Sequence, residues 1–342
     1  MKKIVIMGPV NTASYFGGVA TFDEELMKGF KQIGCEVYIF TKQCDVQKEK
    51  GIYIIKNFLH VKRLIEAIKP DIIIASLEYG KYFFFLEKKY VTIYFLHGFF
   101  NRRNYGYLKS NIASLFQKIV SLKADYVVSN SFFTRMINEE FFNIRSDKVI
   151  HLGNSEDYIK RAFYNKENIK EEGSILFSGR LVKAKYVDKL LEAIKLLSKA
   201  DKKYKLYVAG DGDCKDELEK YTKDNGLNIV FCGKLSHVEL YKYYQKCEVF
   251  VSLNPSEPFG IVFLEAILNN CKIVCPLTGG QIEIIYNLNK ENFCCVDHNS
   301  AKSIADGIEG LFDKTFIRNT NFHERYNYEF VARQFINFVN EK

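Results

Sequence analysis

The chain of 342 residues contains no tryptophan and only five prolines, against heavy use of Lys, Ile, Asn, Tyr and Phe. That bias carries no information about mechanism. No apolar run approaches the ~18–20 residues that a membrane-spanning helix requires. The apolar stretch that opens the chain, Ile4-Val5-Ile6-Met7, is too short for a secretory leader, and the polar residues Asn11, Thr12 and Ser14 come soon after it. It reads as a buried first strand, and the chain is expected in the cytoplasm. Nine cysteines, an odd number, include no Cys-x-x-Cys pair, so the common zinc and dithiol signatures are missing. Most of them lie in apolar segments, where a thiol packs as a small hydrophobe. There is no Gly-x-Gly-x-x-Gly after a strand and no Gly-Lys-Ser/Thr phosphate loop, which disfavours a nicotinamide enzyme and a P-loop nucleotidase.

What is present is an ordinary globular balance, 47% hydrophobic and 26% charged, which excludes disorder, collagen-like chains and coiled-coil rods. The length suits two domains. The net charge of +8 is unevenly spread: residues 1–165 hold 24 Lys/Arg against 16 Asp/Glu, and residues 166–342 hold 25 of each. The excess belongs to the first half, as expected of a surface that meets an anionic partner or of a basic solubilising surface.

Short apolar runs alternate with helical periodicity throughout. Strands are expected at 3–7, 36–40, 72–75, 92–96, 126–129 and 148–151. After a polar stretch, 154–173, they recur at 174–177, 205–209, 229–232, 249–253, 272–275 and 293–296. Helices are expected between them, including 19–33, 60–68, 107–123, 185–199, 213–225, 237–246, 260–269 and 300–312. Unalternating apolar strands separated by helices argue for parallel sheets covered on both faces, hence an α/β chain of two doubly wound halves joined by a polar linker. Ligands of such sheets bind beyond the carboxyl ends of the strands, and two facing halves would place a site in the cleft between them. Apolar positions at Tyr326, Phe330, Val331, Phe335, Ile336 and Val339 predict a C-terminal helix with one buried face.

Four motifs fall at strand ends. Gly17-Gly18 precedes the first helix, where the lack of side chains lets a phosphate approach the backbone or merely permits a tight turn. Arg180 and Lys185 flank the loop after the first strand of the second half, a fork and a point charge suited to a diphosphate. Asp211-Gly212-Asp213 has the form of a metal triplet, but Asp213 is placed to cap the next helix. Most specific is Glu257-Pro258-Phe259-Gly260-Ile261-Val262-Phe263-Leu264-Glu265. Glu257 lies in a loop and Glu265 about two turns into an apolar helix, where a carboxylate needs a partner or a ligand. The eight-residue rise of ~12 Å separates the two carboxylates, so they grip two ends of one ligand and do not share a proton.

With these residues in place, the chain resembles the retaining glycosyltransferases of family 4, which have the GT-B fold of two facing Rossmann-like domains. The likeness extends along nearly the whole chain, in family order: Gly17-Gly18, His97-Gly98, Ser131 with Thr134, Gly179-Arg180 with Lys185, Gly210-x-Gly212, Phe231-Cys232-Gly233, Glu257-x7-Glu265, and Gly279-Gly280 before Glu283. It implies an acceptor-binding domain at 1–155 and a nucleotide-sugar-binding domain at 156–342, whose last helix packs back on the first. It implies that the Gly18 amide approaches the donor diphosphate while Arg180 and Lys185 neutralise the leaving group. Glu265 then accepts the ribose hydroxyls, Glu257 contacts the transferred sugar, and the Phe259-Gly260-Ile261 amides bind its hydroxyls and phosphate. The segment 231–235, with Gly233 and Leu235, edges the base, and His97 orients sugar or acceptor. No metal and no cofactor is implied. Tyr186 stands where the family has glycine, and Asn269-Asn270-Cys271-Lys272 replaces a Gly-x-Pro turn.

The first half also carries aromatic clusters, Tyr82-Phe83-Phe84-Phe85, Phe99-Phe100, Tyr105, Tyr107, Phe132-Phe133 and Phe141-Phe142, interleaved with Lys81, Lys88, Lys89, Arg102, Arg103 and Lys109. Positions 108, 112, 115, 116, 119 and 120 form an apolar stripe at helical spacing, beside Lys109, Lys118 and Lys123. The stripe is either core or the face of a basic amphipathic helix on an anionic membrane. The expectation is a metal-independent enzyme of bacterial surface-polysaccharide type. It moves sugar from a nucleotide sugar, UDP-linked, to a saccharide or lipid-linked saccharide at the inner face of the membrane, without nucleic acid. The rivals are a nucleotide-sugar 2-epimerase of similar fold, which needs no acceptor, and a non-catalytic partner subunit of another transferase.

Overall fold

The computed structural model describes residues 1–12, 17–43, 51–100, 106–164, 170–198, 204–318 and 321–342. The chain divides into two compact units, Met1–Glu156 with Glu324–Lys342, and Asp157–His323.

The first unit is built on a seven-stranded parallel sheet: β1 (Lys3–Met7), β2 (Glu36–Thr41), β3 (Ile52–Ile54), β4 (Ile72–Ser76), β5 (Val91–Leu96), β6 (Tyr126–Ser129) and β7 (Lys148–Val149). The spatial order is β3-β2-β1-β4-β5-β6-β7. Val5 pairs with Tyr38 on one side and Ile73 on the other, so β1 is central, and every residue of β4 is buried. Burial on both faces is why these strands are continuous apolar runs. Helices α1 (Gly18–Gln32), α2 (Phe58–Ile68), α3 (Tyr107–Lys123) and α4 (Phe132–Phe142) connect the strands. Ser131 caps α4 by accepting from the Thr134 N–H at 2.9 Å.

The second unit begins with α5 (Glu156–Tyr164). Its six parallel strands are β8 (Glu171–Ser178), β9 (Lys205–Ala209), β10 (Ile229–Gly233), β11 (Cys247–Val251), β12 (Lys272–Pro276) and β13 (Phe293–Val296). They lie in the order β10-β9-β8-β11-β12-β13. Its further helices are α6 (Val187–Leu197), α7 (Lys215–Asp224), α8 (His237–Lys246), α9 (Ile261–Leu268), α10 (Gln281–Ile285) and α11 (Ala301–Phe312). A short α12 (Phe322–Arg325) leads to α13 (Tyr328–Asn340).

The structure refines these expectations. The stretch 154–173 is more than a linker: α5 and the start of β8 occupy much of it. Ile159 and Ala162 are buried, and the Tyr158 hydroxyl accepts from the Asn269 amide at 2.9 Å, which ties the helix to the second unit. The C-terminal segment from Glu324, numbered by the sequence within 156–342 with its last helix packing back on the first domain, clusters with the first unit. There Val331, Ala332 and Phe335 are buried, and Phe335 meets Phe30 and Phe95. The edge strand β3 and the helix α4 were not expected from the sequence.

The apolar stripe, left open between core and surface, divides between the two. In α3 the buried residues include Ser110, Ser114, Gln117 and Val120, while Leu108, Ile112, Leu115, Ile119 and Leu122 are exposed. Four of the six stripe positions are therefore exposed, while Val120 is core and Phe116 packs against it. The neighbouring α4 repeats the inversion, with Thr134 and Asn138 buried and Phe132, Met136 and Phe141 exposed. Of the aromatic clusters, Tyr82 and Phe83 are core and Phe84 and Phe85 are exposed. Tyr105, Arg102 and Arg103 lie outside the described residues.

Candidate functional site

A doubly wound sheet opens a crevice where successive connections leave to opposite sides. In the second unit that point lies between β8 and β11, because β9 and β10 follow on one side and β12 and β13 on the other. The loop after β8 carries Gly179, Arg180 and Lys185; the loop after β11 carries Asn254 and Glu257. Glycine makes the first loop possible. A Cβ on Gly210, whose φ is +155°, would stand 1.9 Å from the Gly179 carbonyl oxygen, so the two chain reversals pack backbone on backbone. Gly210 also donates to the Gly233 carbonyl at 2.8 Å, which draws the end of β10 to the same edge. Leu235 follows, half-buried, in the turn before α8.

Across this crevice the Lys185 ammonium donates to Glu257 Oε2 at 2.6 Å, and the Asn254 amide donates to the same oxygen at 3.0 Å. Burial raises the Glu257 pKa, but the Lys185 charge and hydrogen bond, Asn254 and the Arg180 charge together outweigh it and hold the carboxyl below its ordinary value. Arg180 itself is exposed. The structure thus gathers Arg180, Lys185 and Glu257 at one crevice.

Glu257 continues into Pro258-Phe259-Gly260, which turns the chain into α9. Gly260 takes φ +92° as the helix N-cap, and a Cβ there would meet the Phe263 ring at 2.6 Å. Phe259 is buried and Ile261, the first helical residue, half-buried. Gly280 donates its N–H to the Glu257 carbonyl at 2.7 Å and anchors the loop from below. One turn further, Glu265 is only 6% exposed. Burial pushes its pKa up to about 7, offset in part by a hydrogen bond from the Tyr244 hydroxyl. Tyr244 is in turn 2.9 Å from Ser178 Oγ at the end of β8, and His237 Nδ1 lies 3.9 Å from Glu265 Oε1. Tyr244 and His237 were missed by sequence reasoning; their positions on α8 resemble any half-buried helix residues, and only packing brings them to Glu265.

Tyr186, at the glycine position of the family pattern, adopts φ +53° and ψ +36° directly before α6. That left-handed conformation is why glycine is at home there; a side chain costs ~1–2 kcal/mol. The ring is placed edge-on to His298, with centroids 4.7 Å apart. Asn270 meets the same requirement after α9, at φ +58°, with a residue type that tolerates it. Asp213 does not cap a helix: α7 starts at Lys215 after Cys214, and the Asp211 carboxylate accepts from its neighbour Gly212 at 2.8 Å.

In the first unit, Gly17 is the N-cap of α1 and Gly18 its first residue, with no atom of the described residues within 4 Å of where a Gly18 side chain would begin. His97 follows β5, its ring set edge-on to Phe22 and Phe95. Burial lowers its pKa to about 3, so the imidazole is neutral. His97 Nε2 lies 2.9 Å from Ser76 Oγ. A cavity of about 590 Å³ lined by Lys2, Lys69, Asp71 and Tyr90 opens at the opposite, N-terminal ends of the strands, where doubly wound sheets do not bind ligands.

Residues 159–328 match the family model described as Glycosyl transferases group 1. An uncharacterized glycosyltransferase of Methanocaldococcus jannaschii is 25% identical over 336 residues, covering 92% of both chains. Two further relatives align over less than half of their own length. A second M. jannaschii glycosyltransferase is 32% identical over 177 residues, 49% of this chain and 44% of that protein. The N-acetylgalactosamine-N,N'-diacetylbacillosaminyl-diphospho-undecaprenol 4-alpha-N-acetylgalactosaminyltransferase of Campylobacter jejuni is 32% identical over 176 residues, 49% of this chain and 47% of that one. Among solved structures, Anabaena HepE in complex with UDP and glucose superimposes with a TM-score of 0.72 at 16% identity, covering 100% of both chains, a likeness of fold. Residues 159–328 are a Glycosyl transferases group 1 domain, and the two Rossmann-like units have the GT-B fold of the glycosyltransferases that the chain resembles along its length.

Proposed function

We propose that the protein is a retaining, metal-independent transferase of family 4 that moves a sugar from a UDP-sugar to a saccharide or lipid-linked saccharide in surface-polysaccharide assembly. The observation that carries this reading is the crevice of the second unit, where Lys185 and Glu257 pair at 2.6 Å beside Arg180 and a buried Glu265 follows on α9. In this reading Arg180 and Lys185 stabilise the charge that develops on the departing diphosphate, the task a metal performs elsewhere. Glu257 holds the Lys185 ammonium in place and contacts the transferred sugar. Glu265 accepts the two ribose hydroxyls, the Phe259-Gly260-Ile261 amides bind sugar and phosphate oxygens, Gly233 and Leu235 border the base, and the Gly17-Gly18 turn admits the diphosphate. His97 orients the sugar or acceptor. The acceptor hydroxyl attacks on the face the nucleotide leaves, giving its proton to a donor-phosphate oxygen, so the protein supplies position and charge.

The lipid-linked acceptor is supported by α3 and α4. Each exposes its large apolar residues and buries polar ones, and α3 carries Lys109, Lys118 and Lys123 with no acidic residue. An exposed apolar face rimmed by lysine fits the interface of an anionic bilayer. The undecaprenol-linked substrate named for the C. jejuni relative agrees with it. The test is a binding panel of nucleotide sugars, followed by product analysis with and without acceptor. UDP-sugar binding with transfer only when acceptor is added is the expected result; a sugar epimerised without acceptor overturns the reading.

A further inference from the structure

The switch point of the first unit lies between β1 and β4, since β2 and β3 follow on one side and β5 to β7 on the other. Three polar side chains from three elements meet there. Ser76 is the last residue of β4, His97 follows β5, and Asp23 projects from α1. The Ser76 hydroxyl donates to Asp23 Oδ1 at 2.8 Å, and its oxygen lies 2.9 Å from His97 Nε2. Asp23 and Ser76 are both 0% exposed. Room for the carboxylate exists because residue 8 is glycine: a Cβ there would stand 1.9 Å from Asp23 Oδ2.

A hydroxyl has one proton to give. Once Ser76 gives it to Asp23, its oxygen can only accept from the imidazole, so the ring proton of neutral His97 must sit on Nε2. This holds whether Asp23 is ionised or carries a proton on Oδ2, the oxygen that has no hydrogen-bond partner among the described residues. Phe22 and Phe95 pack edge-on against the ring at centroid distances of 4.9 and 4.8 Å, and a half-turn would put a ring carbon in place of Nε2 and lose the contact with Ser76.

We infer that Asp23 and Ser76 are positioning residues that hold His97 in its Nε2–H form, so that Nδ1 is the nitrogen that accepts a hydrogen bond from a sugar or acceptor hydroxyl. The inference rests on the assignment of His97 to the donor-sugar site. A buried Asp–Ser pair whose only purpose was packing would be better replaced by apolar side chains, because burying a carboxyl with one hydrogen bond is costly.

The experiment is two-bond ¹H–¹⁵N spectroscopy of the full chain with ring-¹⁵N histidine, the His97 signal being assigned by its loss in His97→Asn. The wild type is expected to show protonated Nε2 and unprotonated Nδ1 at neutral pH. Ser76→Ala should lower the ratio of the Nε2–H to the Nδ1–H form by about fivefold, the weight of one hydrogen bond. Ser76→Thr, which keeps the hydroxyl, and Asp23→Asn, whose amide oxygen still accepts from Ser76, should restore it. A wild-type signal protonated on Nδ1 overturns the inference, as does an unchanged ratio in folded Ser76→Ala; the wild-type spectrum decides even if Ser76→Ala does not fold. Titration with the UDP-sugar that binds tightest in the panel tests the underlying assignment separately. A His97 signal that keeps Nε2–H but ignores that nucleotide sugar removes His97 from the donor site and leaves the tautomer lock intact.

Discussion

The two units use the same sheet design and fill its crevice in opposite ways. In the second unit the switch point holds charges in contact with solvent, a cation and a carboxylate 2.6 Å apart and a further exposed arginine. In the first unit it holds a half-buried, uncharged imidazole bound through a serine to a fully buried aspartic acid. One crevice is lined with charge, as the proposed diphosphate donor requires. The other fixes the direction of a single hydrogen bond, where desolvation and orientation matter and net charge does not. The charge is also unevenly divided: the first unit carries 25 Lys/Arg against 18 Asp/Glu, and the second 24 against 23.

The sharpest way to break this contrast is to remove the cations. Arg180→Ala and Lys185→Ala should each lower kcat by ~10²–10³-fold with a smaller change in donor binding, the scale of one transition-state donor. The measurement is steady-state kinetics in the presence of EDTA. A wild type that is inactive without added manganese or magnesium would return the role to a metal at Asp211 and Asp213. Loss of Lys185 also strips Glu257 of its main partner. A carboxyl whose folded pKa is depressed contributes stability above the unfolded value and loses it as pH falls through the folded one. The acid limb of the wild-type stability curve should therefore flatten in Lys185→Ala.

Glu265 comes next. Glu265→Ala should weaken free nucleotide and nucleotide sugar alike, by roughly 1.5–3 kcal/mol, in calorimetric titration. Here the sign is reversed. With a folded pKa of about 7, above the unfolded carboxyl value, the native state holds the proton more tightly, so this group favours the fold at low pH and penalises it as pH rises through 7. Glu265→Gln should remove that loss, which builds up between the unfolded carboxyl value and about 7, in thermal melts. Nucleotide affinity in the wild type should climb as pH rises toward 7, because the ribose hydroxyls need the ionised carboxylate as acceptor.

The first unit's surface is tested by sedimentation with vesicles. Binding should require anionic lipid, fall with salt and drop further when Leu108, Ile112 and Leu115 are changed to Ser, while donor binding is retained. Each lysine near the bilayer contributes ~1 kcal/mol, screened within a Debye length. Indifference of the wild type to anionic vesicles at low salt would leave the stripe to another partner. The smallest effect is expected at Tyr186. Tyr186→Gly relieves a left-handed side-chain conformation but frees the unfolded chain and loses the contact with His298, so melting should move by less than the equivalent of ~1 kcal/mol.

The alternation of apolar runs and helical periods was enough to locate nearly every strand, because a parallel strand buried on both faces must be written as a continuous apolar word. Lys3–Met7, Tyr126–Ser129, Lys205–Ala209 and Phe293–Val296 coincide with their expected bounds. The edge strand Ile52–Ile54 escaped because it is short and partly exposed, and α4 because its aromatic residues point outward while Thr134 and Asn138 point in. The crevice of the second unit was legible because Arg180, Lys185, Glu257 and Glu265 fall in contiguous motifs at strand ends, where geometry follows from local chain reversal.

Tertiary structure alone decided the rest. Asp23 lies in the middle of a helix, Ser76 at the end of a strand, and His97 twenty-one residues further on. Nothing local couples them; they meet because β1, β4 and β5 are neighbours in a sheet whose order the sequence does not spell out. The same holds for Tyr244 beside Glu265. It holds for the stripe on α3, whose period announced an amphipathic helix but not which face would be buried. Periodicity reports only that a helix has two faces. Which one meets the core depends on what the neighbouring elements present to it, and here Ser110, Ser114 and Gln117 went inward and the leucines and isoleucines stayed out.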